Sequence, residues 1–420
     1  MVAAIMGDVR TPESWLTTHG FPDLTPPPVV VGGVALQVAL QVALSGVGTR
    51  SEIMRRTGLG RSQVAHAWQL LQQAKLLAPA GREKREHRGQ PSALAQVHAQ
   101  AGLVLAVDCG ASIARASLAT LGRRVLLREQ FPARLSGGPD CLLASLSELL
   151  DRRLPPAIPK HGPLRHITIG IPARIDYTRG APVRPTIMPG WDGVQIGRML
   201  EDQYGADVFV DNEMNLRAYA ESLHPSNPGF PVVAVKVGWG VGAGIATAPG
   251  QILHGFSGAA GELGHTPIMD NAKEVQCRCG KTNCIEARAS LGAIIAATGG
   301  TPPGTEVNLE SQTHLIEALF NSDQAAHRAV LEAGLLLGEN LANVCDLLNP
   351  RVISLTSVLN ASSEGLLSGV RANVHAKSRP LASRDVSVRL ASFGEDTGLI
   401  GGLAMAIEES IKTICAKLAP

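Results

Sequence analysis

The sequence predicts an α/β protein in which a long body follows a small helical module. From residue 102 onward, apolar runs such as residues 103–107 and 232–237 resemble buried strands, and segments between them, such as 140–154, have helical periodicity. Strands that alternate with helices in this way are typical of α/β domains. The chain has 420 residues, and a domain usually has about 100–200, so we expect two or three domains.

Composition and cysteine usage favour a soluble cytoplasmic protein. Hydrophobic residues make up 45% of the chain and charged residues 18%, which allows a core of ordinary size. The seven cysteines are an odd number, and the first ten residues lack the basic start and apolar stretch of a signal peptide. We therefore expect a reducing compartment and no disulfide framework.

The first 49 residues contain a proline-rich segment and an uncharged segment. Residues 1–30 are acidic and contain several prolines, and we expect them to form a mobile tail. Residues 29–49 carry no charge, and about 20 apolar residues can span a membrane. However, Gln37 and Gln41 interrupt this stretch, and an amphipathic charged segment follows it directly. These features favour a core helix, so we expect no membrane partner.

A basic module, expected over residues 31–98, precedes the body. Between positions 49 and 91 there are nine basic and three acidic residues, although the net charge of the whole chain is only +2. Such a local excess favours a polyanion as the partner. The alternative for the same residues is a helical hairpin with a solvated basic face.

Within this module the sequence has helix-turn-helix spacing. Thr49 and Glu52 have capping-box spacing and start a helix that ends at Gly58, and a second helix is predicted from about residue 61 to residue 74. The basic segment 81–91 is typical of a wing that contacts DNA. A winged helix-turn-helix places its second helix in the major groove of operator DNA. The residues expected to contact the DNA are Arg50, Arg61, Ser62, Gln63, His66, Arg85 and Arg88.

Two glycine patterns in the body suit phosphate binding. The sequence VDCGAS places Asp108 at a strand end, before a turn at Gly110 and Ser112, which suits a phosphate or its metal ion. The sequence VGWGVGAG has glycines at positions 238, 240, 242 and 244, which let a ligand approach the backbone closely. Each pattern alone also occurs in ordinary hairpins.

Three cysteines in the body suggest a metal centre. Cys277, Cys279 and Cys284 are close enough in sequence to bind one ion, and His265 is the nearest upstream histidine. A tetrahedral zinc needs four ligands, so we predict a closed, structural site with three cysteines and one histidine. The alternatives are a disulfide, which a reducing compartment disfavours, and a redox pair, for which the spacing lacks the CxxC arrangement.

Together these motifs resemble those of one family. The sequences GELGH, CxCGxxxCxE and VGxGxGAG, the DxGxS turn and the amino-terminal winged helix resemble the ROK family of repressors, open reading frames and sugar kinases, specifically its transcriptional regulators. The resemblance covers roughly residues 31–415. The family usually has glycine before the third cysteine of its motif, where this chain has Asn283.

The resemblance implies a two-lobed, actin-like ATPase fold of the ribonuclease H-like type for residues 99–420. The first lobe would contain residues 99–212 and 396–420, and the second lobe residues 213–395. In such proteins a sugar lies in the cleft, and the histidine of the zinc site also faces a sugar hydroxyl. The sugar contacts carried over to this chain are Asn212, Glu213, Glu262, His265 and Glu286.

Several positions favour a sugar-responsive repressor over an active sugar kinase. The family's kinases have aspartate in an NDAN motif where this chain has Glu213, and a misplacement of ~1 Å can cost ~100-fold in rate. Trp239 places a bulky indole where the family's second phosphate motif has a small hydroxyl, and Thr356 and Ser357 replace a glycine pair that admits the adenosine. We therefore expect no enzyme activity, and a homodimer or homotetramer that responds to a sugar or sugar derivative. The alternatives are an ATP-dependent sugar kinase with an accessory DNA-binding domain, or a regulator controlled by a partner protein.

Overall fold

The computed structural model contains a small amino-terminal module and two five-stranded sheets that carry helices. Within the described part of the chain, no helix combines the length and the apolar character that a bilayer crossing requires. The residues that the structure describes are 14–27, 33–46, 48–82, 93–111, 113–268, 274–300 and 309–418.

The amino-terminal module has the helices and strands that the helix-turn-helix prediction requires. The Thr49 hydroxyl accepts a hydrogen bond from the Glu52 amide at 3.1 Å, and Gly58, with φ of 71°, ends the first helix of the pair. The strands form an antiparallel sheet in the order β1-β3-β2. The segment 83–92, which contains most of the predicted wing, lies outside the described residues. The elements are α2 (Gly33–Ser45), β1 (Gly48–Thr49), α3 (Arg50–Thr57), α4 (Arg61–Gln73), β2 (Leu77–Arg82) and β3 (Ala93–Val97), preceded in the chain by α1 (Trp15–His19).

Part of the segment expected to be a mobile tail is packed against the rest of the protein. Leu16, in α1, and Leu24 are buried in the same apolar core as the amino-terminal module. The Asp396 carboxylate accepts hydrogen bonds from the Ser14 hydroxyl at 2.6 Å and from the Leu16 amide at 2.9 Å. The expectation of mobility is wrong for residues 14–27, because their apolar side chains have partners in the core. The other residues of that tail lie outside the described ranges.

The first large sheet has the strand order β10-β7-β4-β5-β6. Strands β4, β5 and β6 are antiparallel neighbours, whereas β7 and β10 run parallel to β4. A short antiparallel hairpin, β8 and β9, follows β7. The elements are β4 (Leu103–Cys109), β5 (Ile113–Thr120), β6 (Val125–Pro132), α5 (Pro139–His161), β7 (Leu164–Ile171), β8 (Ile175–Asp176), β9 (Ala181–Pro182), α6 (Ile196–Tyr204) and β10 (Asp207–Asn212).

The second large sheet, in the order β13-β12-β11-β14-β15, repeats this arrangement. Its first three strands are antiparallel neighbours, and β14 and β15 run parallel to β11. The same order in both sheets agrees with the expected two-lobed ribonuclease H-like fold. The elements are α7 (Glu213–Ser222), β11 (Val232–Val237), β12 (Val241–Ala248), β13 (Gln251–Ile252), α8 (Ile285–Ala289), α9 (Leu291–Ala297), α10 (Leu309–Phe320), α11 (Gln324–Leu348), β14 (Val352–Thr356), α12 (Gly365–Lys377), α13 (Pro380–Ser383) and β15 (Ser387–Leu390).

The last helix, α14 (Thr397–Ala416), returns to pack on β4 and β7 of the first sheet and against α7. Two glycines of α14 permit its close packing against α7 and β4. A Cβ atom at Gly401 would lie 1.8 Å from the carbonyl oxygen of Leu216, and one at Gly398 would lie 2.5 Å from a carboxylate oxygen of Asp108. Only glycine fits at these two positions, because backbone and a buried carboxylate occupy the space.

Candidate functional site

A cavity of about 620 Å³ is lined by residues from both halves of the body. The first half contributes the loop after β4, the residues that flank the β8–β9 hairpin, and the end of β10. The second half contributes β12 and the segments that carry the histidine and the cysteines. The structure brings all five predicted sugar contacts to this cavity: Asn212, Glu213, Glu262, His265 and Glu286.

Glu213, the first residue of α7, belongs to a buried network of four charged side chains. One oxygen of its carboxylate, Oε2, accepts a hydrogen bond from the Lys236 ammonium at 2.6 Å and forms an ion pair with the Arg217 guanidinium at 3.0 Å. Arg217 also binds both carboxylate oxygens of Asp108, at 3.0 and 2.8 Å. Burial alone raises the pKa of the Asp108 carboxyl, but Arg217 and Lys236 hold this pKa below its usual value. Two carboxylates are therefore matched by two cations inside the protein.

Glu286 lies against the cavity wall in the first turn of α8, where the helix dipole favours a carboxylate. Its Oε2 atom accepts a hydrogen bond from the Val241 amide at 3.1 Å, and its Oε1 atom accepts one from Arg278 at 3.1 Å. A Cβ atom at Gly240 would lie 2.8 Å from Oε2. One glycine of the VGWGVGAG sequence therefore makes room for a carboxylate of the cavity.

Asn212 joins the end of β10 to the start of α7. Its side-chain oxygen accepts a hydrogen bond from the Met214 amide at 2.8 Å and so caps the helix. Its side-chain nitrogen donates to the carbonyl oxygen of Ala173 at 2.9 Å. These contacts fix the amide group and leave one of its two N–H bonds for a ligand.

The four residues predicted to bind a metal come together in the structure. The Nδ1 atom of His265 and the sulfur atoms of Cys277, Cys279 and Cys284 all lie within 4.8 Å of one another. The Cys279 and Cys284 sulfurs are 3.6 Å apart, and the Cys277 sulfur is 3.7 Å from Nδ1 of His265. Ligand atoms on a tetrahedral zinc, with bonds of about 2.0–2.3 Å, lie roughly 3.3–3.8 Å apart. The cluster therefore fits zinc, which when bound would cross-link the loop to the cavity wall.

Asn283 differs from the family pattern without disturbing this cluster. Its backbone φ of 54° lies in the left-handed region, which glycine adopts freely and asparagine tolerates better than most residues. Its side-chain oxygen accepts a hydrogen bond from the Val275 amide at 2.9 Å. This contact holds the loop in a conformation that brings Cys284 to the cluster.

His265 connects the metal cluster with the cavity. Its Nδ1 atom faces Cys277, whereas its Nε2 atom lies 4.0 Å from the Oε2 atom of Glu262. His265 and Glu262 both line the cavity. The two ring nitrogens therefore face different partners, as the family resemblance implies.

Two residues of the glycine-containing motifs do not line the cavity. Asp108 is fully buried and its oxygens are bound by Arg217, so its carboxylate does not face the cavity as a ligand for phosphate or its metal ion. The indole of Trp239 packs against the core of the second half and donates to Gln312 at 3.2 Å. Ser112 lies outside the described residues.

The residues predicted to contact DNA are on the surface of the amino-terminal module where the structure describes them. Val64, Ala67, Trp68 and Leu71 form the buried face of α4. The Arg50 guanidinium lies over the indole of Trp68, 5.1 Å from the ring centroid. The opposite, exposed face carries Arg61, Ser62, Gln63 and His66, whereas Arg85 and Arg88 lie outside the described residues.

Sequence reasoning missed the cations that line the cavity. The clearest available signal was Lys236, the single charged residue in the apolar strand VVAVKV, because a lone charge in a buried strand requires a partner. The partners themselves are far apart in sequence, so no local pattern identifies them. The cavity-lining cations are Arg174, Arg184, Lys236, Arg278 and Lys281.

The repeated sheets and the polar cavity define a protein of the two-lobed, ribonuclease H-like class. The sequence profile of the ROK family matches residues 104–409. The chain therefore belongs to the ROK family, which confirms the predicted family and the predicted two-lobed fold of the body.

Relatives of this chain include a kinase and repressors. It is 28% identical over 307 residues to a glucokinase from Halalkalibacterium halodurans, with 70% of this chain and 92% of the relative covered. It is 22% identical over 367 residues to the xylose repressor of Bacillus subtilis, with 87% and 92% covered. It is 27% identical over 254 residues to the DNA-binding transcriptional repressor Mlc of Escherichia coli, with 58% and 60% covered.

Solved structures of both kinds share the fold. A ROK family transcriptional regulator described as a homologue of E. coli MLC aligns with a TM-score of 0.70 at 23% identity, covering 91% of this chain and 97% of that one. A ROK family glucokinase from Streptomyces griseus, in complex with glucose and AMPPNP, aligns with a TM-score of 0.60 at 21% identity, covering 73% and 99%. The alignment with the regulator extends further along this chain.

We expect about one zinc ion per chain in the purified protein, and a loss of this zinc in Cys279→Ser, because a serine hydroxyl is a poor zinc ligand. Elemental analysis measures the metal content, and thermal unfolding in the presence and absence of a chelator measures its effect on stability. Cys141→Ser changes a cysteine remote from the cluster and should keep its zinc. A zinc-free protein of unchanged stability would contradict the metal assignment.

Proposed function

We propose that this chain is a sugar-responsive transcriptional regulator that acts as a repressor on operator DNA. The observation that carries the proposal is the core shared by the amino-terminal module and the body. Leu40 of α2, Leu71 of α4 and Leu403 of α14 belong to one buried apolar cluster. Because interiors are densely packed, a displacement of α14 in the body also displaces the helices of the module. The repressor relatives support this assignment.

The cavity supplies the groups that sugar recognition requires. Carboxylates accept hydrogen bonds from vicinal hydroxyls, and an amide both donates and accepts. A site of this kind rejects ligands without those hydroxyls, since its buried polar groups would then be unpaired. We propose that Asn212, Glu213, Glu262, His265 and Glu286 contact the sugar, and that His265 contributes Nε2 while Nδ1 binds zinc.

The proposed organisation divides the chain into a DNA-binding module of residues 31–98 and a ROK body of residues 99–420. The strands of one sheet all precede residue 213 and those of the other all follow it. This division supports a first lobe of residues 99–212 and 396–420, and a second lobe of residues 213–395. A homodimer or homotetramer would present paired modules to two operator half-sites, whose recognition depends on their spacing. Movement of the lobes around a ligand would change that spacing.

A continuous set of contacts connects the cavity with the DNA-binding module. Helix α7 begins at Glu213, and the carbonyl oxygen of Leu223, just past its end, accepts a hydrogen bond from the Thr25 amide at 2.8 Å. The neighbouring Leu24 amide donates to the carbonyl oxygen of Leu44, in α2, at 3.0 Å. A shift of α7 that follows ligand binding at Glu213 can therefore reach α2 through two hydrogen bonds.

Arg123 binds the segment that contains Leu24 and Thr25 to the body. Its guanidinium nitrogen Nη1 donates to the carbonyl oxygen of Pro22 at 2.8 Å and to the Asp23 carboxylate at 2.8 Å. The same nitrogen lies 3.2 Å from the carbonyl oxygen of Leu44. One side chain of the first lobe thus holds both the amino-terminal segment and the end of α2.

The charge network around Glu213 argues against phosphoryl transfer. A sugar kinase uses a carboxylate that accepts the proton of the attacking hydroxyl. In this chain Oε2 of Glu213 already accepts a hydrogen bond from Lys236 and is ion-paired with Arg217, and the Lys236 ammonium lies 3.7 Å from the position of a Cβ atom at Gly110, in the turn that suits phosphate. We therefore propose that the protein is not an enzyme. The glucokinase relative makes an ATP-dependent sugar kinase the second candidate.

Arg61→Ala should weaken operator binding at least tenfold, because a good contact from a recognition helix contributes about 1–3 kcal/mol. The DNA is obtained by selection of random duplexes with the wild-type protein, and affinity is measured by fluorescence anisotropy at fixed salt. Lys75→Ala, just past the other end of α4, is the matched control and should bind as wild type does. Equal operator affinities for wild type and Arg61→Ala would contradict the assignment of α4 as the recognition helix.

Incubation with ATP, Mg²⁺ and a panel of hexoses, pentoses and N-acetylhexosamines should produce no sugar phosphate above the background hydrolysis of ATP. The reason is the pairing of Glu213 with two cations. An assay coupled to ADP release gives the rate. Turnover at about 1 s⁻¹ or faster, as in ordinary kinases, would overturn the non-enzymatic assignment in favour of the second candidate.

Arg123→Ala should loosen the connection between body and module. Hydrogen exchange followed by mass spectrometry is expected to show at least tenfold faster exchange of the Leu24 and Thr25 amides, because three acceptors lose their shared donor. Arg124→Ala alters the neighbouring exposed arginine and should leave this exchange unchanged. Equal protection in the two variants would contradict the proposed connection.

A further inference from the structure

Two arginines line the cavity at its rim, on the hairpin formed by residues 174–184, here called the rim hairpin. Strands β8 and β9 pair antiparallel within it, with Ile175 opposite Pro182. The next pair outward is also bonded, because the Val183 amide donates to the carbonyl oxygen of Arg174 at 2.9 Å. Arg184 directly follows Val183, and both arginines line the cavity. The fold therefore places two positive charges on adjacent positions of one small hairpin.

The backbone of Arg184 is held in an unfavourable conformation. Its φ of 41° lies in the left-handed region, which non-glycine residues adopt rarely. The Asp192 carboxylate accepts a hydrogen bond from the Arg184 amide at 2.7 Å, and Pro185 restricts the chain that follows. These contacts fix the point from which the guanidinium extends, and strained residues of this kind occur often at ligand sites.

The carboxylates of the cavity do not neutralise these arginines. Glu213 is paired with Lys236 and Arg217, and Glu286 is paired with Arg278. Glu262 lies beside His265, with a distance of 4.0 Å between Oε2 and Nε2. Among the residues that the structure describes, neither the Arg174 nor the Arg184 guanidinium forms an ion pair, and the Asp192 carboxylate is bound to the backbone amide of Arg184. The cavity lining contains five cations and three carboxylates, so its formal balance is positive.

From this arrangement we propose that the effector is an anionic sugar derivative, with its phosphate or carboxylate group bound by Arg174 and Arg184. The proposal rests on the proposed function, in which the cavity binds a sugar through Asn212, Glu262 and the other polar contacts. It specifies the chemical class of the effector. The sugar ring would be held by the hydrogen-bonding residues, and the anion would lie at the rim.

The physical basis is the match between guanidinium groups and oxyanions. Arginine presents paired N–H donors that bind two oxygens of a phosphate or carboxylate at once, with charge assistance. Neither guanidinium has an ion-pair partner among the described residues, so a bound anion would supply a counterion that a neutral sugar does not. The anionic derivative should therefore bind more tightly than its neutral parent, with an advantage that decreases at high salt.

Isothermal titration of the full chain with glucose, mannose and galactose, their 6-phosphates and their uronates tests the proposal. We expect at least one anionic derivative to bind at least tenfold more tightly than its neutral parent at low salt. The 6-phosphates and uronates distinguish a phosphate from a carboxylate site, and inorganic phosphate alone should bind weakly because it lacks the ring. Arg174→Gln and Arg184→Gln should each reduce the anionic preference at least fivefold.

Arg179→Gln is the matched control, because Arg179 lies in the turn of the same rim hairpin, with 78% of its side chain exposed, and does not line the cavity. This variant should keep the wild-type preference. Equal binding of a neutral sugar and its anionic derivatives by the wild type would overturn the anion site and leave the proposed function intact. Failure of every sugar in both classes to bind would contradict both proposals.

Discussion

The cavity depends on one buried network of charges, formed by Asp108, Glu213, Arg217 and Lys236. Burial removes several kcal/mol of hydration from each charge, so the network is stable only while each member keeps a close partner. Its members belong to β4, α7 and β11, and their pairing fixes both sheets to the helix between them. Loss of one partner would cost about 3–5 kcal/mol. Because the pKa of Asp108 is lowered, its contribution is present above the unfolded-state pKa and is lost as the pH falls through the folded-state value.

Helix α7 connects this network with the amino-terminal segment. At its first residue, Glu213 faces the cavity, and just past its last turn Leu223 holds the amino-terminal segment. Between these ends the helix crosses α14 at a distance that only glycine permits, and α14 also contributes to the core of the amino-terminal module. The same helix therefore contacts both the cavity and the junction with the module. Under the proposed function, α7 connects ligand binding in the cavity with the module.

The sequence predicts the parts of this protein that short-range patterns specify. Three cysteines within eight positions and an upstream histidine predict the cluster of possible metal ligands, and a cap at Thr49 with a glycine at position 58 predicts helix α3. Tertiary contacts are harder to foresee. The ion pair of Lys236 with Glu213 joins residues on two different elements. Leu16 is buried because it packs in a core formed by residues distant in sequence. Trp239 packs against the apolar core of the second lobe.

The central claim is that occupation of the cavity changes the affinity for operator DNA. The most direct measurement compares the operator affinity of wild type and Glu262→Gln, each with and without the ligand that binds wild type most tightly. Glu262 is exposed and lies outside the buried network, so its replacement should leave the fold intact. The account predicts at least a tenfold change in operator affinity on ligand addition to wild type, and a much smaller change in Glu262→Gln at the same ligand concentration. An operator affinity that does not respond to ligand bound in the cavity of the wild type would contradict it.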